Sequence, residues 1–501
     1  MQATPAAGLV DYVTEMSHIR WRVLLISSIG LFVASLDSSI LAVALPAISA
    51  DLQLSFSEAL WVQTSYILVV TILLIPFGRW GERIGLYRVY WLGVLLFGIF
   101  SVVAGISFNG LFLIVARVLQ GAAAAMILAT SAAIVTATFP TGERGRALGL
   151  NMMALTFGLT VGPPVGGIVV THLGWPWIFY IKVPLALVTV AAGWHLLGAE
   201  RRDREATHAL HEQDGTVPPR PRIDIRGAAL LGMLLLTLFI PLIFSPLWGW
   251  TSWQTVLPLL ASAVFAILFV VAETRTSDPV LDLHLFRRSR VFAAANAASL
   301  LYQAATYGVT IFTAVLLVVA QDRSPQVAGF ILLVQPMVMT VITPLSGWWS
   351  DHLGSRGLSA LGMLITAGGM VQLALLGVSS PIWQSVAALA TLGLGLSVFS
   401  APNFSAIMGS VGRNDLGLAS GLFATTRFFG MGVSIAILGA IAASQLGSEG
   451  GRVILLGTRA DIGNAEAFAA GYSQAMYVGA GLALLGALVS LVKERRPVGE
   501  A

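Results

Sequence analysis

Long apolar runs, separated by short polar or Gly- and Pro-rich stretches, set the pattern of this 501-residue chain. A helix needs about 20 mainly apolar residues to cross the hydrocarbon core of a bilayer. Fourteen runs reach this length, and we expect each to be a membrane-spanning helix: 23–45, 57–77, 90–108, 110–138, 147–171, 177–198, 225–247, 253–272, 291–320, 326–346, 357–379, 382–411, 417–442 and 469–492. The pattern therefore predicts an all-α polytopic membrane protein.

Composition and charge support this prediction and orient the chain. Only 10% of the residues are charged, whereas a soluble domain carries about 25%. The absence of cysteine excludes disulfides, a thiol nucleophile and iron–sulfur clusters. With the N-terminus inside, 22 of the 28 Lys and Arg residues fall on the inner side, as the positive-inside rule requires. We expect a multi-pass protein of the cell (inner) membrane with both termini cytoplasmic.

A polar loop recurs in the chain and indicates an internal repeat. The loop after the second span contains Gly78, Glu82, Arg83, Gly85 and Arg88, and a similar loop 269 residues later contains Gly347, Asp351, Gly354 and Arg356. A solvated turn is the alternative for a single copy. Two copies predict parallel repeats of the kind found in transporters, arranged 6+2+6: an N-terminal half (1–198), a cytoplasmic linker (199–224), an inserted helical hairpin with its loop (225–290) and a C-terminal half (291–501).

Two ionisable residues fall inside predicted spans. An Asp at the centre of a span costs about 2.5–3.5 kcal/mol on insertion scales, so Asp37 is a candidate proton carrier. The alternative is a structural Asp bonded to Ser38 or Ser39. Arg117, with Gln120 beside it, is a candidate partner for Asp37, or else it bonds helix carbonyls and stabilises its own half. Arg427 admits either a cavity or a structural role.

Two spans carry patterned side chains. Six polar residues of span nine share one helix face and predict a water-filled cavity, with interhelical hydrogen bonding as the alternative. They are, with two flanking tyrosines, Asn296, Ser299, Tyr302, Gln303, Thr306, Tyr307, Thr310 and Thr313. Span five contains residues that predict close helix contact and a bend: Gly158, Gly162, Pro163, Pro164, Gly166 and Gly167.

The sequence contains neither a nucleotide-binding motif nor a zinc-protease motif. Neither Lys182 nor Lys493 follows a glycine, which excludes a Walker A loop, and no HExxH zinc motif occurs. We therefore expect no enzymatic activity, no metal and no cofactor, and a proton or other ion gradient as the energy source.

Four segments together resemble the fourteen-span drug:proton antiporter group of the major facilitator superfamily over nearly the whole chain. They are Leu36–Ile40 with Val43–Pro46, Gly78–Arg88, Arg117–Gly121 and Gly158–Gly167. The resemblance implies that Asp37 and Arg117 couple proton movement to substrate release. It also implies that Glu82, Arg83 and Arg88 form an inner charge clasp between the halves in the outward-open state.

Four positions depart from the pattern of this group. Glu82 replaces an Asp, Leu86 a basic residue and Ala42 an Asn. Lys182 also replaces an Asn, and we place it at the outer end of span six, where an extra cation can attract an anionic or phosphate-bearing ligand.

The sequence thus predicts a proton-driven exporter that holds a lipophilic small molecule or drug between its halves and works by alternating access. Because Asp37 is the one firm intramembrane acid, we expect neutral, monocationic or lipid-like substrates. We expect a monomer in the bilayer, with no nucleic-acid partner. The alternatives are export of lipids or lipoconjugates by the same fold, and a membrane scaffold or sensor that does not transport.

Overall fold

The structure, a computed structural model, describes residues 5–140, 143–194, 224–276, 283–412, 416–445 and 462–492. These residues form helices and turns and contain no β-strand. Fourteen of the described helices are long and apolar enough to span a membrane: α1 Pro5–Leu52, α2 Phe56–Ile84, α3 Leu86–Gly105, α4 Gly110–Thr138, α5 Arg144–Leu173, α6 Trp177–Trp194, α7 Ile225–Trp248, α8 Trp253–Glu273, α9 Arg290–Ala320, α10 Pro325–Ser350, α11 Ser355–Ala374, α12 Ile382–Gly409, α13 Leu416–Ala443 and α14 Ile462–Ser490.

The fourteen predicted spans are confirmed, although several helices extend beyond the apolar runs. α3 begins at Leu86 rather than at 90, and α14 begins at Ile462 rather than at 469. Hydropathy marks the part of a helix that suits the bilayer core, whereas backbone hydrogen bonding continues past it. A further short helix, Leu283–Arg288, precedes α9. The predicted linker 199–224 lies outside the described residues, apart from its last position.

Capping side chains fix several helix starts. Ser55 and Glu58 form a capping box at the start of α2, in which the Glu58 carboxylate accepts from the Ser55 amide at 2.7 Å. The Asn109 side chain accepts from the Phe112 amide at 2.8 Å and begins α4. Such caps pair amide groups that no helical carbonyl reaches.

The two related loops have similar backbone geometry. Gly85 ends α2 with φ 126°, and its amide donates to the Gly81 carbonyl at 2.8 Å. Gly354, at the equivalent position of the second loop, has φ 84° and donates to the Ser350 carbonyl at 3.0 Å. Only glycine adopts positive φ of this kind without strain. The sequence repeat therefore corresponds to a structural repeat at these two turns.

Each set of six helices packs as one bundle. In the first set, α1 packs against α4 and α5, and α4 also contacts α2 and α3. In the second, α9 packs against α13 and α14, and α12 against α10 and α11. The halves meet through α2 with α13 and through α5 with α10. The hairpin α7–α8 lies outside this pairing: α7 contacts α2 and α13, and α8 packs against α7.

The halves are in contact at one end of the bundle. We call the end that carries Arg79, Arg83 and Arg356 the arginine-rich face and the other end the opposite face. Near the opposite face, Gly167 of α5 lies against the Pro325 backbone of α10, where a Cβ atom would clash. Phe56 and Phe312 stack across the halves there, with ring centroids 6.4 Å apart.

Toward the arginine-rich face, apolar side chains of α5 and α10 are exposed. Met153 and Phe157 of α5 are 65% and 60% exposed, and Met337 and Val341 of α10 are 56% and 65% exposed. The main contact of α5 with α10 is to the first part of α10, Pro325–Leu332, at the opposite face. The halves are therefore closed against each other at the opposite face in this structure.

Candidate functional site

Asp37 lies in the middle of α1, where serines interrupt an otherwise apolar helix. The hydroxyl of Ser38 donates to the Ser35 carbonyl at 2.8 Å, and that of Ser39 donates to the Gly158 carbonyl of α5 at 3.1 Å. Both serine hydroxyls thus donate to carbonyls and not to Asp37. The Asp37 carboxylate must therefore find its partners among side chains of other helices. Because this carboxylate is only 1% exposed, it requires charged or hydrogen-bonding partners.

Arg117 and Gln120 of α4 supply two of those partners. Arg117 Nη1 lies 2.5 Å from Asp37 Oδ2 and donates to Gln120 Oε1 at 2.6 Å. Gln120 Nε2 donates to Asp37 Oδ1 at 3.2 Å and to the Ser101 hydroxyl of α3 at 2.9 Å. The pairing predicted between Asp37 and Arg117 is therefore present in the structure, as part of a network that joins α1, α3 and α4.

Lys182 is the third partner, and its location differs from our expectation. It does not face outward at the end of α6; its side chain is fully buried and its Nζ forms an ion pair with Asp37 Oδ1. The ammonium group also lies 4.6 Å from the ring centroid of Phe179 and 5.9 Å from that of Phe97. The insertion-cost argument applied to Asp37 applies equally to a Lys within an apolar run and indicates that Lys182 needs a buried partner.

The cluster of Asp37, Arg117 and Lys182 holds more positive than negative charge. One carboxylate faces two cations, so the cluster carries a net charge of +1 when all three are ionised. The Arg117 guanidinium lies over the Tyr66 ring at 4.3 Å, which offers partial compensation. Its Nη2 atom finds no hydrogen-bond partner among the described residues. In this structure the cluster therefore has one positive charge that no acid among the described residues neutralises.

A side-chain bridge connects this cluster to the second half. The Gln63 amide of α2 donates to the Ser38 carbonyl at 3.0 Å and to the Tyr307 hydroxyl of α9 at 2.9 Å. Tyr307 is half-buried and lies close enough to Asp37, Arg117 and Arg427 to interact electrostatically with each. The sequence did not single out Gln63, although it is a polar residue within an apolar span.

Arg427 of α13 lies near Tyr307, whose hydroxyl accepts a hydrogen bond from Gln63 of the first half. It is half-buried and close to the hydroxyls of Tyr302 and Tyr307. Within the part of the chain that the structure describes, its guanidinium makes no hydrogen bond or ion pair. A cation with no acid partner among the described residues thus lies near Tyr307, which is also near the Asp37 cluster, and this favours the cavity role over the structural one.

The polar stripe of α9 is mainly a packing surface, unlike the water-lined stripe that we predicted. Asn296, Ser299, Gln303, Thr306 and Thr313 are all buried. The Thr313 hydroxyl bonds that of Tyr472 in α14 at 2.9 Å, and Gln303 packs against Gly430 of α13. The reason is that α9 lies inside its bundle, so this face meets helices rather than water. Thr310 and the two flanking tyrosines remain partly accessible.

The glycines of α5 bring three helices close together. Gly158, Gly162 and Gly166 lie against α1, where a Cβ atom would meet Ser35, Ser39 or Ile40. Gly329 of α10 faces the Pro163 carbonyl in the same way. Close packing, one of the two properties we expected of this segment, is therefore present, and it links the Asp37 helix to the contact between the halves. Pro164 and Gly167 lie in the same stretch of α5.

The loop residues predicted to form a gate lie at the arginine-rich face. Gly78 and Gly85 flank the end of α2, and Glu82, Arg83 and Arg88 are exposed there. Glu82 and Arg83 each take part in an interaction. In the second copy, Arg356 is partly exposed, and the side chain of Asp351 lies outside the described part of the chain. The predicted clasp remains a prediction.

The fold and these buried charges define a helical membrane transporter, and comparisons with known proteins identify the family. The family model described as Major Facilitator Superfamily matches residues 27–304, 225–435 and 297–501. The chain therefore belongs to the major facilitator superfamily.

Two relatives and one solved structure illustrate the similarity. The chain is 30% identical over 429 residues to the riboflavin transporter RibZ of Clostridioides difficile (85% of this chain, 89% of that one). It is 30% identical over 445 residues to the tetracenomycin C resistance and export protein of Streptomyces glaucescens (89% and 78%). The fold matches a bacterial homolog of the human lysosomal transporter Spinster in an inward-facing, unoccupied conformation, with TM-score 0.66, 16% identity and coverage of 94% and 96%.

Proposed function

We propose that the protein is a proton-coupled exporter of lipophilic small molecules that works by alternating access in the cell (inner) membrane. The observation that carries the proposal is the Asp37 carboxylate, buried in the membrane interior with Arg117 and Lys182 and one side-chain bridge away from the other half. The riboflavin-transporting and tetracenomycin-exporting relatives support a small organic substrate. The tetracenomycin C protein is an export protein, and we extend export to this chain by similarity.

The orientation follows from charge. The positive-inside rule places the arginine-rich face, with both termini, in the cytoplasm. The halves are closed at the opposite face, so the space between them is accessible from the cytoplasm in this conformation. An exporter in this state binds its substrate from the cytoplasm or the inner leaflet.

Proton coupling requires that protonation of Asp37 change the contacts of α1. The ionised carboxylate holds α1 to α4 through Arg117 and to α6 through Lys182. A proton on Asp37 removes the negative charge that both cations need, so both ion pairs weaken together. Because Ser38 is joined to Tyr307 through Gln63, movement of α1 reaches the other half directly. Protonation thereby alters the equilibrium between the two conformations.

Two alternatives use the same fold. Export of a lipid or lipoconjugate fits the apolar side chains of α5 and α10 that are exposed toward the arginine-rich face. A scaffold or sensor that does not transport fits the fold but leaves the buried charge cluster, which is costly to insert, without a role. The cluster therefore favours transport.

The test is probe-dependent proton flux in proteoliposomes that contain a luminal pH dye. Three probes share a naphthylhexyl body and end in a hydroxyl, a trimethylammonium or a sulfonate, so none of them carries protons across the lipid by itself. We expect flux with at least one probe for wild type and for Glu466→Gln, an exposed acid in α14. We expect none for Asp37→Asn.

A second variant guards against misfolding. Asp37→Asn leaves two cations without their acid, whereas Asp37→Asn/Lys182→Gln has the net charge of the wild-type site and no acid to titrate. We expect this double variant to bind probe but to move no protons. Proton flux at the wild-type rate in the double variant would refute the coupling role, and movement of fluorescent lipid without flux from any probe would favour the lipid exporter.

A further inference from the structure

The membrane interior of the described chain holds three cations and one acid. The cations are Arg117, Lys182 and Arg427, and the acid is Asp37. The other acids of the spanning helices that have described side chains lie near the helix ends, as with Glu58 at the opposite face. With all four groups ionised, the interior therefore carries a net charge of +2.

The excess charge lies on both sides of one space. The first half contributes the Asp37 cluster, in which both carboxylate oxygens already bind cations. The second half contributes Arg427, which has no acid partner among the described residues. Tyr307 accepts a hydrogen bond from Gln63 of the first half and lies near Arg427 of the second, so a molecule that contacts this tyrosine is next to both halves.

The same space offers contacts for an apolar body with one polar group. Tyr302 and Tyr307 are partly exposed, and Tyr302 stacks on Phe399 with ring centroids 4.7 Å apart. A planar guanidinium such as that of Arg427 binds a carboxylate, sulfonate or phosphate through two parallel hydrogen bonds. A cation placed here would find the single acid already paired twice.

We propose that this space binds lipophilic anions, with Arg427 as the residue that contacts the acidic group and the two tyrosines holding the apolar body. The inference rests on the proposed function only in taking this space as the substrate site. Monocationic substrates, which we expected from the sequence, are not part of this proposal. That expectation placed Lys182 at the outer end of α6, whereas Lys182 pairs with Asp37 and leaves no free acid among the described interior residues for a cationic substrate.

The experiment is equilibrium binding of the three naphthylhexyl probes to the purified protein in nanodiscs, followed by fluorescence. We expect the sulfonate to bind at least tenfold more tightly than the hydroxyl probe, a difference of about 1.4 kcal/mol, and the trimethylammonium probe to bind most weakly. Arg427→Gln should remove the sulfonate preference, so that the sulfonate probe binds no more tightly than the hydroxyl probe. Arg427→Lys should retain most of the preference.

Arg275→Gln serves as the matched control, since it removes one exposed cation beyond α8, a helix that packs on α7 outside the two halves. It should leave all three affinities unchanged. Equal or tighter binding of the trimethylammonium probe, or a sulfonate preference that survives Arg427→Gln, would overturn the proposal. Binding is measured without a proton gradient, so the two tests are independent. Absence of the sulfonate preference does not affect the proton-flux test, and absence of proton flux does not prevent measurement of the binding preference.

Discussion

Removing Lys182 should stabilise a protein that has already lost the Asp37 charge. In Asp37→Asn, Arg117 and Lys182 keep their positions around a neutral amide, and loss of one partner from a buried ionic site costs about 3–5 kcal/mol. At an effective dielectric of about 20, two like charges repel by about 4 kcal/mol at about 4 Å and by about 2 kcal/mol at twice that separation. We take the smaller figure for Arg117 and Lys182, which bind opposite oxygens of one carboxylate. Adding Lys182→Gln removes that repulsion, so the double variant should recover about 2 kcal/mol.

The assay is thermal unfolding followed by tryptophan fluorescence, which suits a chain with 13 Trp and no Cys for thiol dyes. At about 2.1 cal/mol/K per residue, 501 residues give an unfolding entropy near 1 kcal/mol/K. Asp37→Asn should therefore lower Tm by about 3–5 °C, and the double variant should lie about 2 °C above it. One scan rate and one detergent are used throughout, because an apparent Tm depends on the scan rate wherever unfolding is not fully reversible.

The control pairs Lys182→Gln with Glu466→Gln, a distant exposed acid. Effects of distant sites add, so this double variant should show the sum of its single shifts. The reasoning fails if Asp37→Asn/Lys182→Gln melts below Asp37→Asn. That order would mean that Lys182 stabilises the site through contacts other than those with Asp37.

Two further predictions concern the contact between the halves. Gly167→Val places a branched side chain against the Pro325 backbone, so it should prevent closure at the opposite face. Transport should fall at least tenfold while Tm changes little. A cysteine introduced near that face should become more reactive toward thiol reagents. Tyr307→Phe removes the hydrogen bond from Gln63, worth about 0.5–1.5 kcal/mol. It should change the transport rate by up to about tenfold and lower Tm by at most about 1.5 °C. An unchanged rate would show that the bridge plays no part in coupling.

Hydropathy predicted the fourteen spans because the bilayer requires long apolar helices, and the loop repeat located the two matching turns at Gly85 and Gly354. Charge cost alone identified Asp37 and Arg117. Lys182 was misplaced because hydropathy gives the position of a residue along a helix but not the direction of its side chain. The α9 stripe shows the same limit, since a polar face on a helix inside a bundle satisfies its hydrogen bonds with Tyr472 as readily as with water.

The positive excess between the halves also determines how the membrane potential acts on transport. A monocation that leaves while one proton enters moves no net charge, so the potential contributes nothing to that exchange. An anion that leaves while one proton enters moves two elementary charges, each worth about 2.3 kcal/mol per 100 mV. Export of a lipophilic anion therefore gains about 4.6 kcal/mol from a potential of about 100 mV, before any pH gradient is counted. The excess of cations disfavours cationic substrates and favours anions. Anions are also the substrates whose export gains more driving force from a membrane potential that is negative inside. Sulfonate transport in proteoliposomes should accordingly respond to an imposed potassium diffusion potential at constant pH, and a rate independent of that potential would contradict this coupling.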